Sequence, residues 1–454
     1  MEGTHKNFVQ AYREAGVRLV YEVMEEGAFA NLLLNRFLKS SAVAVPERRL
    51  LTEIVNGTIR MVKHLDGVLN LFLTKAVHKQ NPWLRNILRV SAYQLLFMDR
   101  LAVYACVNEA VELGRFFCGE KLSGVINGVL RNLIRHKDNI TLTAATVPEY
   151  LSVYYSHPLW IVNWMLDLWP EEQVRQILIY NNQAPSVTVR NCSLRNSRAE
   201  LREMLRMEGV ETEESPAHPR ALKLKPLPFS LENSRAFQEG RFYIQNPASM
   251  LAADILAPQP GEHIYDLCCG VGGKTTNLAE YMDNEGRITA VDLYDNKLSL
   301  LRRNCDRMNI GVVETVCGDL QKGLGSYLPG DRVILDAPCS GLGVLNRRAD
   351  ARWRIEPGTI KELSELQRQL LVQAASLVKP RGVLLYCTCT VHPEENETQI
   401  ENFLRSRGDF QLEDFCERIP RIYNERADAQ KGMLKIIPGR LDTDGMFYAL
   451  MRRV

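Results

Sequence analysis

Two cysteines stand in surroundings that suggest chemistry rather than packing. Cys339 lies in Asp336-Ala-Pro-Cys-Ser-Gly341 and Cys389 in Tyr386-Cys-Thr-Cys-Thr390, each directly behind an apolar run of strand length. In a sheet of parallel strands the carboxyl ends line the crevice where an active site opens, so the two thiols are expected to converge. A thiolate is a capable nucleophile once its surroundings lower its pKa. One task that suits it is the activation of a pyrimidine: carbon 5 of cytosine accepts a methyl group only after a thiolate adds at carbon 6 and turns the ring into an enamine. The carbon-5 proton must then leave and the first thiol be eliminated, a release that a second thiol can assist. Asp336 is placed to hydrogen-bond or protonate ring nitrogen 3. The other nine of the eleven cysteines (Cys106, Cys118, Cys192, Cys268, Cys269, Cys305, Cys317, Cys387 and Cys416) read as small buried hydrophobes. No metal is expected: a spacing of one residue sends Cys387 and Cys389 to opposite faces of a strand, and no Cys or His pair elsewhere completes a ligand set.

A second candidate site is the glycine-rich segment Asp266-Leu-Cys268-Cys269-Gly270-Val271-Gly272-Gly273-Lys274-Thr-Thr276, between a strand-like run and a helical stretch. Glycines at such a turn let backbone approach a ligand at the strand's carboxyl end. About twenty residues on, Asp292 ends the next strand, where a carboxylate accepts hydrogen bonds from ribose hydroxyls. Asp319 follows the third strand, in the position from which adenine edges are commonly read. A plain tight turn with two acidic helix caps is the bland alternative. A dinucleotide dehydrogenase is another, but the third glycine of its loop is missing and no second nicotinamide motif accompanies it. A phosphate-binding loop fails because a cysteine stands where its first glycine belongs.

These segments need elements to hold them. The chain of 454 residues is longer than one core usually organises, and 46% hydrophobic with 24% charged residues is a globular composition. From Thr4, a candidate helix cap, Phe8, Tyr12, Ala15, Leu19 and Val23 follow helical spacing; Leu50–Leu73, Leu84–Phe97, Val107–Phe116 and Ser123–Ile134 do the same, punctuated by Pro46, Asn81-Pro82 and Gly119. Residues 1–140 therefore read as an all-helical domain. Residues 141–240 read as a helical linker and a small mixed α+β module, with strands near Ser186–Val189 and Ala221–Leu224, a helix at Arg198–Glu208 and a loop holding Pro226 and Pro228. From about Phe242, in the part spanning 241–454, strand-length runs (His263–Leu267, Arg287–Val291, Val312–Cys317, Arg332–Leu335, Gly382–Cys387) alternate with helical stretches, the pattern of a parallel α/β sheet. Leu434–Ile437 and Met446–Met451 suggest an antiparallel hairpin at its edge.

No apolar run reaches the roughly 20 residues that span a bilayer, the first ten residues are polar, and the odd cysteine count fits reduced thiols, so a cytoplasmic monomer is expected. Residues 1–140 carry 19 Lys/Arg against 13 Asp/Glu, a tilt toward a polyanionic partner. Within them Arg131, Arg135, His136 and Lys137 form a basic run that either grips RNA or faces water. Behind Cys339, Arg347, Arg348, Arg352, Trp353 and Arg354 combine cations for phosphates with one aromatic for stacking or packing, as an enzyme that must reach an unpaired or flipped base requires.

Five segments, Tyr243-Ile-Gln-Asn-Pro-Ala-Ser249, Asp266–Thr276, Asp336–Gly343, Thr388-Cys-Thr-Val-His-Pro-Glu-Glu-Asn396 and Asp444-Gly-Met-Phe447, resemble the successive motifs of the NOL/NOP/Sun group of RNA cytosine-5 methyltransferases. The resemblance implies a Rossmann-like domain that uses S-adenosylmethionine. It makes Cys389 the attacking nucleophile, Cys339 the thiol that assists release and Asp336 a contact of the target base; Cys268 through Lys274, Asp292, Asp319 and Asp336 become the cofactor contacts. Glu109–Gly114 and Gly124–Arg131 resemble the NusB family of RNA-binding bundles. A NusB-like front end on such a catalytic domain is similar to the ribosomal RNA methyltransferase B family, the Sun or Fmu type, which implies 16S ribosomal RNA, alone or in a small-subunit assembly intermediate, as partner. Gly270-Val271 replaces that family's usual Ala-Pro in the cofactor loop. A transfer-RNA substrate, and a non-catalytic RNA-binding assembly factor, stay open as alternatives.

Overall fold

The computed structural model describes residues 2–40, 45–98, 102–226, 229–323, 325 and 328–454; side chains of residues 2–11 and 45–46 fall outside that description. The Phe8 side chain and Pro228, named above, are therefore outside the described residues. The chain divides into two compact units, Met1–Ala184 with Leu345–Arg354, and Pro185–Val344 with Ile355–Val454.

The first unit is helical: Glu2–Glu25, Ala30–Ser40, Val45–Arg60, Val62–Asn70, Pro82–Phe97, Val103–Cys118, Glu120–His136, Val147–Tyr154, Leu159–Leu168 and Glu171–Asn182. Tyr12, Ala15, Leu19 and Val23 are buried, as their spacing requires. Thr4 lies inside the first helix rather than capping it. The apolar run Leu50–Leu73 is two helices broken at Met61. Its periodicity hid the break because Ile54, Val55 and Ile59 before it, and Leu65, Val68 and Leu69 after it, are buried in the same core. Asn81 caps the helix that follows, its side chain accepting from the Trp83 and Leu84 amides with Pro82 in the first turn.

The second unit carries two sheets. In the smaller, β1 (Val187–Asn191), β2 (Thr212–Glu214), β3 (Ala221–Leu224) and β4 (Phe242–Ile244) pair antiparallel in the order β2-β3-β1-β4. Helix Arg198–Met207 covers them with Leu201 and Leu205. The strand at Phe242, assigned above to the start of the α/β sheet, belongs to this smaller one, with Val189 opposite Ile244. Three residues carry no pattern that would have revealed the partner.

The larger sheet holds β5 (His263–Leu267), β6 (Arg287–Asp292), β7 (Val313–Cys317), β8 (Gly330–Asp336), β9 (Val378–Thr388), β10 (Phe410–Leu412), β11 (Met433–Ile436) and β12 (Met446–Arg453). Its order is β10-β12-β9-β8-β5-β6-β7, with β11 also on β12. Strands β7 to β9 in that order run parallel; β12 pairs antiparallel with β9, β10 and β11, giving the expected edge hairpin. The chain travels outward through β5, β6 and β7 and returns to β8. The order therefore reverses between β5 and β8, where a crevice must open at the strands' carboxyl ends.

A buried ion cluster ties the small sheet to helix Gly273–Tyr281. Arg190 of β1 reaches Glu280 Oε1 at 2.6 Å with both side chains fully buried, and donates to the Gly273 carbonyl at 3.0 Å and to Thr276 Oγ1 at 3.1 Å. Arg220 takes the other oxygen of Glu280. Burial pushes both guanidinium groups down to about 10, so the one carboxylate is what keeps two cations tolerable there. Removing one partner of a buried pair costs about 3–5 kcal/mol. Glu280→Ala is expected to lose at least that much, read as a lowered urea midpoint of the second unit.

Candidate active site at the strand ends of the parallel sheet

The crevice between β5 and β8 is lined first by the loop 268–273. Cys268 (φ +61°), Gly270 (φ +60°) and Gly272 (φ +90°) all take left-handed backbone, uncommon for the cysteine. A Cβ on Gly272 would also lie 2.2 Å from Leu301 Cδ1, so conformation and space both require glycine, whereas at Gly270 an added carbon meets open space. The loop is held by its neighbours: the Gly270 amide donates to Asp292 Oδ2 at 2.9 Å, Cys269 N–H to the Val291 carbonyl at 3.0 Å, and the Val271 carbonyl accepts from Tyr243 Oη at 3.0 Å and Asn304 Nδ2 at 3.1 Å. Asp292 Oδ1 accepts from the Tyr294 amide at 3.0 Å and lies 3.3 Å from Lys297 Nζ. Its Oδ2 thus keeps a lone pair that a hydroxyl could use. Asp319 is partly exposed behind β7 and accepts from the Gln321 amide at 3.1 Å. Cys269 is buried; Cys268 is partly exposed, and burial, then Asp336 and Asp292, pushes its thiol up to about 12.

At the floor, Asp266 of β5 is fully buried, accepts from Thr275 Oγ1 at 2.5 Å through Oδ2, and leaves Oδ1 without a hydrogen bond. Burial raises its carboxyl to about 7 against the Thr275 hydrogen bond, with Asp336 adding to the rise. Lys274, one-tenth exposed, reaches Asp336 Oδ2 at 2.7 Å; burial works most strongly against its charge, but Asp336 together with Cys387 and Cys389 holds the ammonium above its usual range. Cys387 Sγ lies 3.5 Å from the other oxygen of Asp336.

The two thiols meet. Cys339 Sγ lies 3.3 Å from Cys389 Sγ, each partly exposed. The register places Asp336 opposite Cys387, and the Ala337 amide donates to the Cys387 carbonyl at 2.9 Å, so the loops leave β8 and β9 side by side. The hydrogen bond to Cys389 and then burial hold the Cys339 thiol well above the usual cysteine range, with Glu395 and Asp336 adding to it. Either thiol can donate to the other across this contact.

The arginines behind Cys339 divide. Arg347 and Arg348 are exposed, but Arg352 is fully buried in the first unit. Its guanidinium donates to the Ser156 carbonyl at 3.1 Å, Asn182 Oδ1 at 2.7 Å and the Asn181 carbonyl at 2.7 Å, and burial, then Arg60, pushes it well below its usual range. Arg352 is thus withdrawn from the set of RNA contacts. Trp353 donates its indole N–H to the Ile59 carbonyl at 2.7 Å, and Arg354 binds Asp350 at 3.0 Å, so this segment is packing. Arg131 and Arg135 are exposed on helix Glu120–His136 and help line a groove of about 630 Å³ with Tyr104, Arg115 and Asn127.

Comparison with known proteins is consistent along the whole chain. Residues 253–452 match the model described as 16S rRNA methyltransferase RsmB/F, residues 10–135 the NusB family, and residues 157–228 an RsmF/B-like ferredoxin-like domain. A probable ribosomal RNA small subunit methyltransferase B of Synechocystis sp. is 33% identical over 443 residues, covering 97% of this chain and 99% of the relative. The chain belongs to the 16S rRNA methyltransferase RsmB/F family. Family relatives include the Bacillus subtilis protein of the same description (32% identical, 97% and 98% covered) and the ribosomal RNA small subunit methyltransferase B of Vibrio cholerae (31%, 98% and 98%). Among solved structures, PH0851 aligns over 97% of this chain and 99% of its own at 29% identity and TM-score 0.79. A methyltransferase homolog protein from Pyrococcus horikoshii aligns over 68% and 100% at 26% identity and TM-score 0.58. Among the described residues no group of His, Cys, Asp and Glu could hold a metal ion, and no helix is long and apolar enough to cross a membrane.

Asp266 carries no evident role in the sequence, and neither do Ser340, Gln367, Thr390 and Glu395, which brace the thiol loops. Asp266 had one signal, an acid inside an apolar strand. A carboxyl held at about 7 in the fold, against an unfolded value near 3.8, binds protons that the unfolded chain releases between those limits. Its contribution is present at low pH and lost as pH rises toward 7. Asp266→Asn is therefore expected to flatten the decline of melting temperature between pH 4 and 7 relative to wild type. Arg352→Ala is expected to lower the melting temperature of the first unit while leaving the salt dependence of RNA binding unchanged; a reduced salt slope would return Arg352 to the phosphate contacts.

Proposed function

We propose that this chain, as a ribosomal RNA methyltransferase, methylates carbon 5 of a cytosine in 16S ribosomal RNA through a covalent bond between Cys389 and carbon 6. The observation that carries the reading is the pair of thiols 3.3 Å apart beside Asp336, at the ends of two adjacent strands. Cys389, its proton given up to solvent at the partly exposed crevice, attacks carbon 6 as the thiolate. Asp336, positioned by Lys274, serves in its protonated form, donating to ring nitrogen 3 and drawing electron density away from the carbon under attack. S-adenosylmethionine supplies the methyl group. After transfer, the carbon-5 proton passes to solvent and Cys339 assists the elimination that frees Cys389.

The site residues fit that cofactor: Asp292 retains an acceptor position, Gly270 faces open space, Asp266 Oδ1 is an orphaned buried acceptor, and Asp319 stands beyond the third strand. Cys268 to Lys274, with Asp292, Asp319 and Asp336, would hold it. The working division is residues 1–140 for RNA binding, 141–240 as a helical linker and mixed module, and 241–454 for catalysis. Arg131, Arg135, Arg347 and Arg348 are exposed cations for phosphates. The protein is read as a cytoplasmic monomer acting on ribosomal RNA or a small-subunit assembly intermediate.

Transfer of tritium from labelled S-adenosylmethionine to unmodified 16S ribosomal RNA tests this. Wild type is expected to methylate, Cys389→Ala to fall by at least about 10³-fold, and Cys339→Ala to trap an RNA–protein band on a denaturing gel. Activity surviving in Cys389→Ala would remove the nucleophile assigned here, and binding without transfer would favour a non-catalytic factor.

A further inference from the structure

Both thiol loops are fastened to one buried carboxylate that no step of the reaction uses. Glu395, at the end of the short helical turn Pro393–Glu395, is fully buried. Its Oε1 accepts from the Ser340 amide at 2.8 Å and from Gln367 Nε2 at 3.0 Å; its Oε2 accepts from Ser340 Oγ at 2.5 Å. Gln367 also donates to the Pro338 carbonyl at 2.9 Å, so both residues flanking Cys339 are held. From the other loop, Thr390, directly after Cys389, places its Oγ1 2.9 Å from Ser340 Oγ. The backbone is fixed as well, by Tyr386 Oη donating to the Glu395 carbonyl at 2.7 Å.

The protons can be assigned. The His392 amide donates to Thr390 Oγ1 at 3.3 Å, which leaves the Thr390 hydroxyl hydrogen for Ser340 Oγ, and Ser340 in turn gives its own to Glu395. The Ser340 amide, the Gln367 amide group and the Ser340 hydroxyl are thus all placed to donate to the Glu395 carboxyl group. The relay is directional: a glutamine amide at position 395 would turn one acceptor into a donor facing the Ser340 hydroxyl, and the chain of hydrogen bonds between the two loops would have to reverse or break.

We propose that Glu395 is a positioning residue that holds Cys339 and Cys389 at their working separation through Ser340 and Thr390. It touches neither thiol. Its effect passes through loops whose flanking residues it grips, and a thiol displaced by about 1 Å from its line of attack is enough to cost on the order of 100-fold in rate. A purely structural brace would lower the folded fraction without changing how the folded enzyme reacts. The proposal rests on the two-thiol reading above.

The test compares wild type with Glu395→Gln, Thr390→Val and Thr390→Ser in the full chain. Melting temperature, kcat and KM for unmodified 16S ribosomal RNA, and peptide-mapped iodoacetamide alkylation of Cys339 and Cys389 against pH would be measured. Glu395→Gln and Thr390→Val are expected to lower kcat by about 10- to 100-fold with KM within about 2-fold, while Thr390→Ser, which keeps the hydroxyl, stays near wild type. Loss of the Glu395 charge is expected to move Cys339 alkylation to lower pH, because a neighbouring anion disfavours the thiolate. Wild-type kcat in Glu395→Gln, or losses that track the folded fraction alone, would overturn the proposal. The alkylation profiles need no RNA, so an unchanged profile rejects Glu395 even if Cys389→Ala proves the reaction correct. Conversely, an active Cys389→Ala rejects the two-thiol chemistry on separate grounds.

Discussion

The register between β8 and β9 is the constraint on which the site depends. With Asp336 opposite Cys387, both strands stop at the same height, and Cys339 three residues on and Cys389 two residues on come out side by side. A slip of one residue would send every side chain of one strand to the other face and separate the thiols. The register is braced from beyond the strands. The Gly343 amide donates to the Cys389 carbonyl at 3.0 Å and the Gly445 amide to the Gly343 carbonyl at 2.7 Å. At Gly343 a Cβ would lie 2.4 Å from the Gly445 carbonyl oxygen and 2.8 Å from that of Cys389. The glycine is there because three backbone segments cross within one hydrogen-bond layer, and β12, antiparallel to β9, delivers the third of them.

The charges around the crevice follow from that geometry. Asp266, Asp292 and Asp336 converge from three strand ends, with Lys274 at Asp336 and Lys297 at Asp292. One carboxyl answers by holding its proton: Asp266, deepest and without a cationic partner, rises to about 7, while the more exposed Asp336 takes the ammonium at 2.7 Å. Burial and partner choice thus give two acids of one type different surroundings. Between the thiols, the contact with Cys389 and burial hold the Cys339 thiol above the usual cysteine range.

Much of this was legible in the sequence because strand-ending motifs report position. Asp336, Cys339 and Cys389 follow apolar runs whose period marks them as strands, and parallel strands carry their chemistry at one end. What was not legible depended on distant partners. Arg352 sits in a run of arginines that looks solvated, yet its burial is set by carbonyls at Ser156 and Asn181, which no local pattern announces. β4 has only three residues, and its pairing with β1 crosses more than fifty residues of chain. Glu395 belonged to a recognised motif, but its contact with Ser340 joins two separate loops.

The acidity of the crevice has a consequence for how substrate must bind. A crevice lined by the carboxyls of Asp266, Asp292 and Asp336 offers a phosphate backbone little attraction. On the proposed reading the RNA can bring only an uncharged base to the thiols, which is what a flipped or unpaired cytosine offers. The attraction that holds the polyanion has to be supplied by cations outside the crevice, such as the exposed Arg131, Arg135, Arg347 and Arg348, and it scales with the phosphates they neutralise. Grip and chemistry are then separable functions of the chain: salt weakens the first through screening, while the second, enclosed among buried groups, is screened far less.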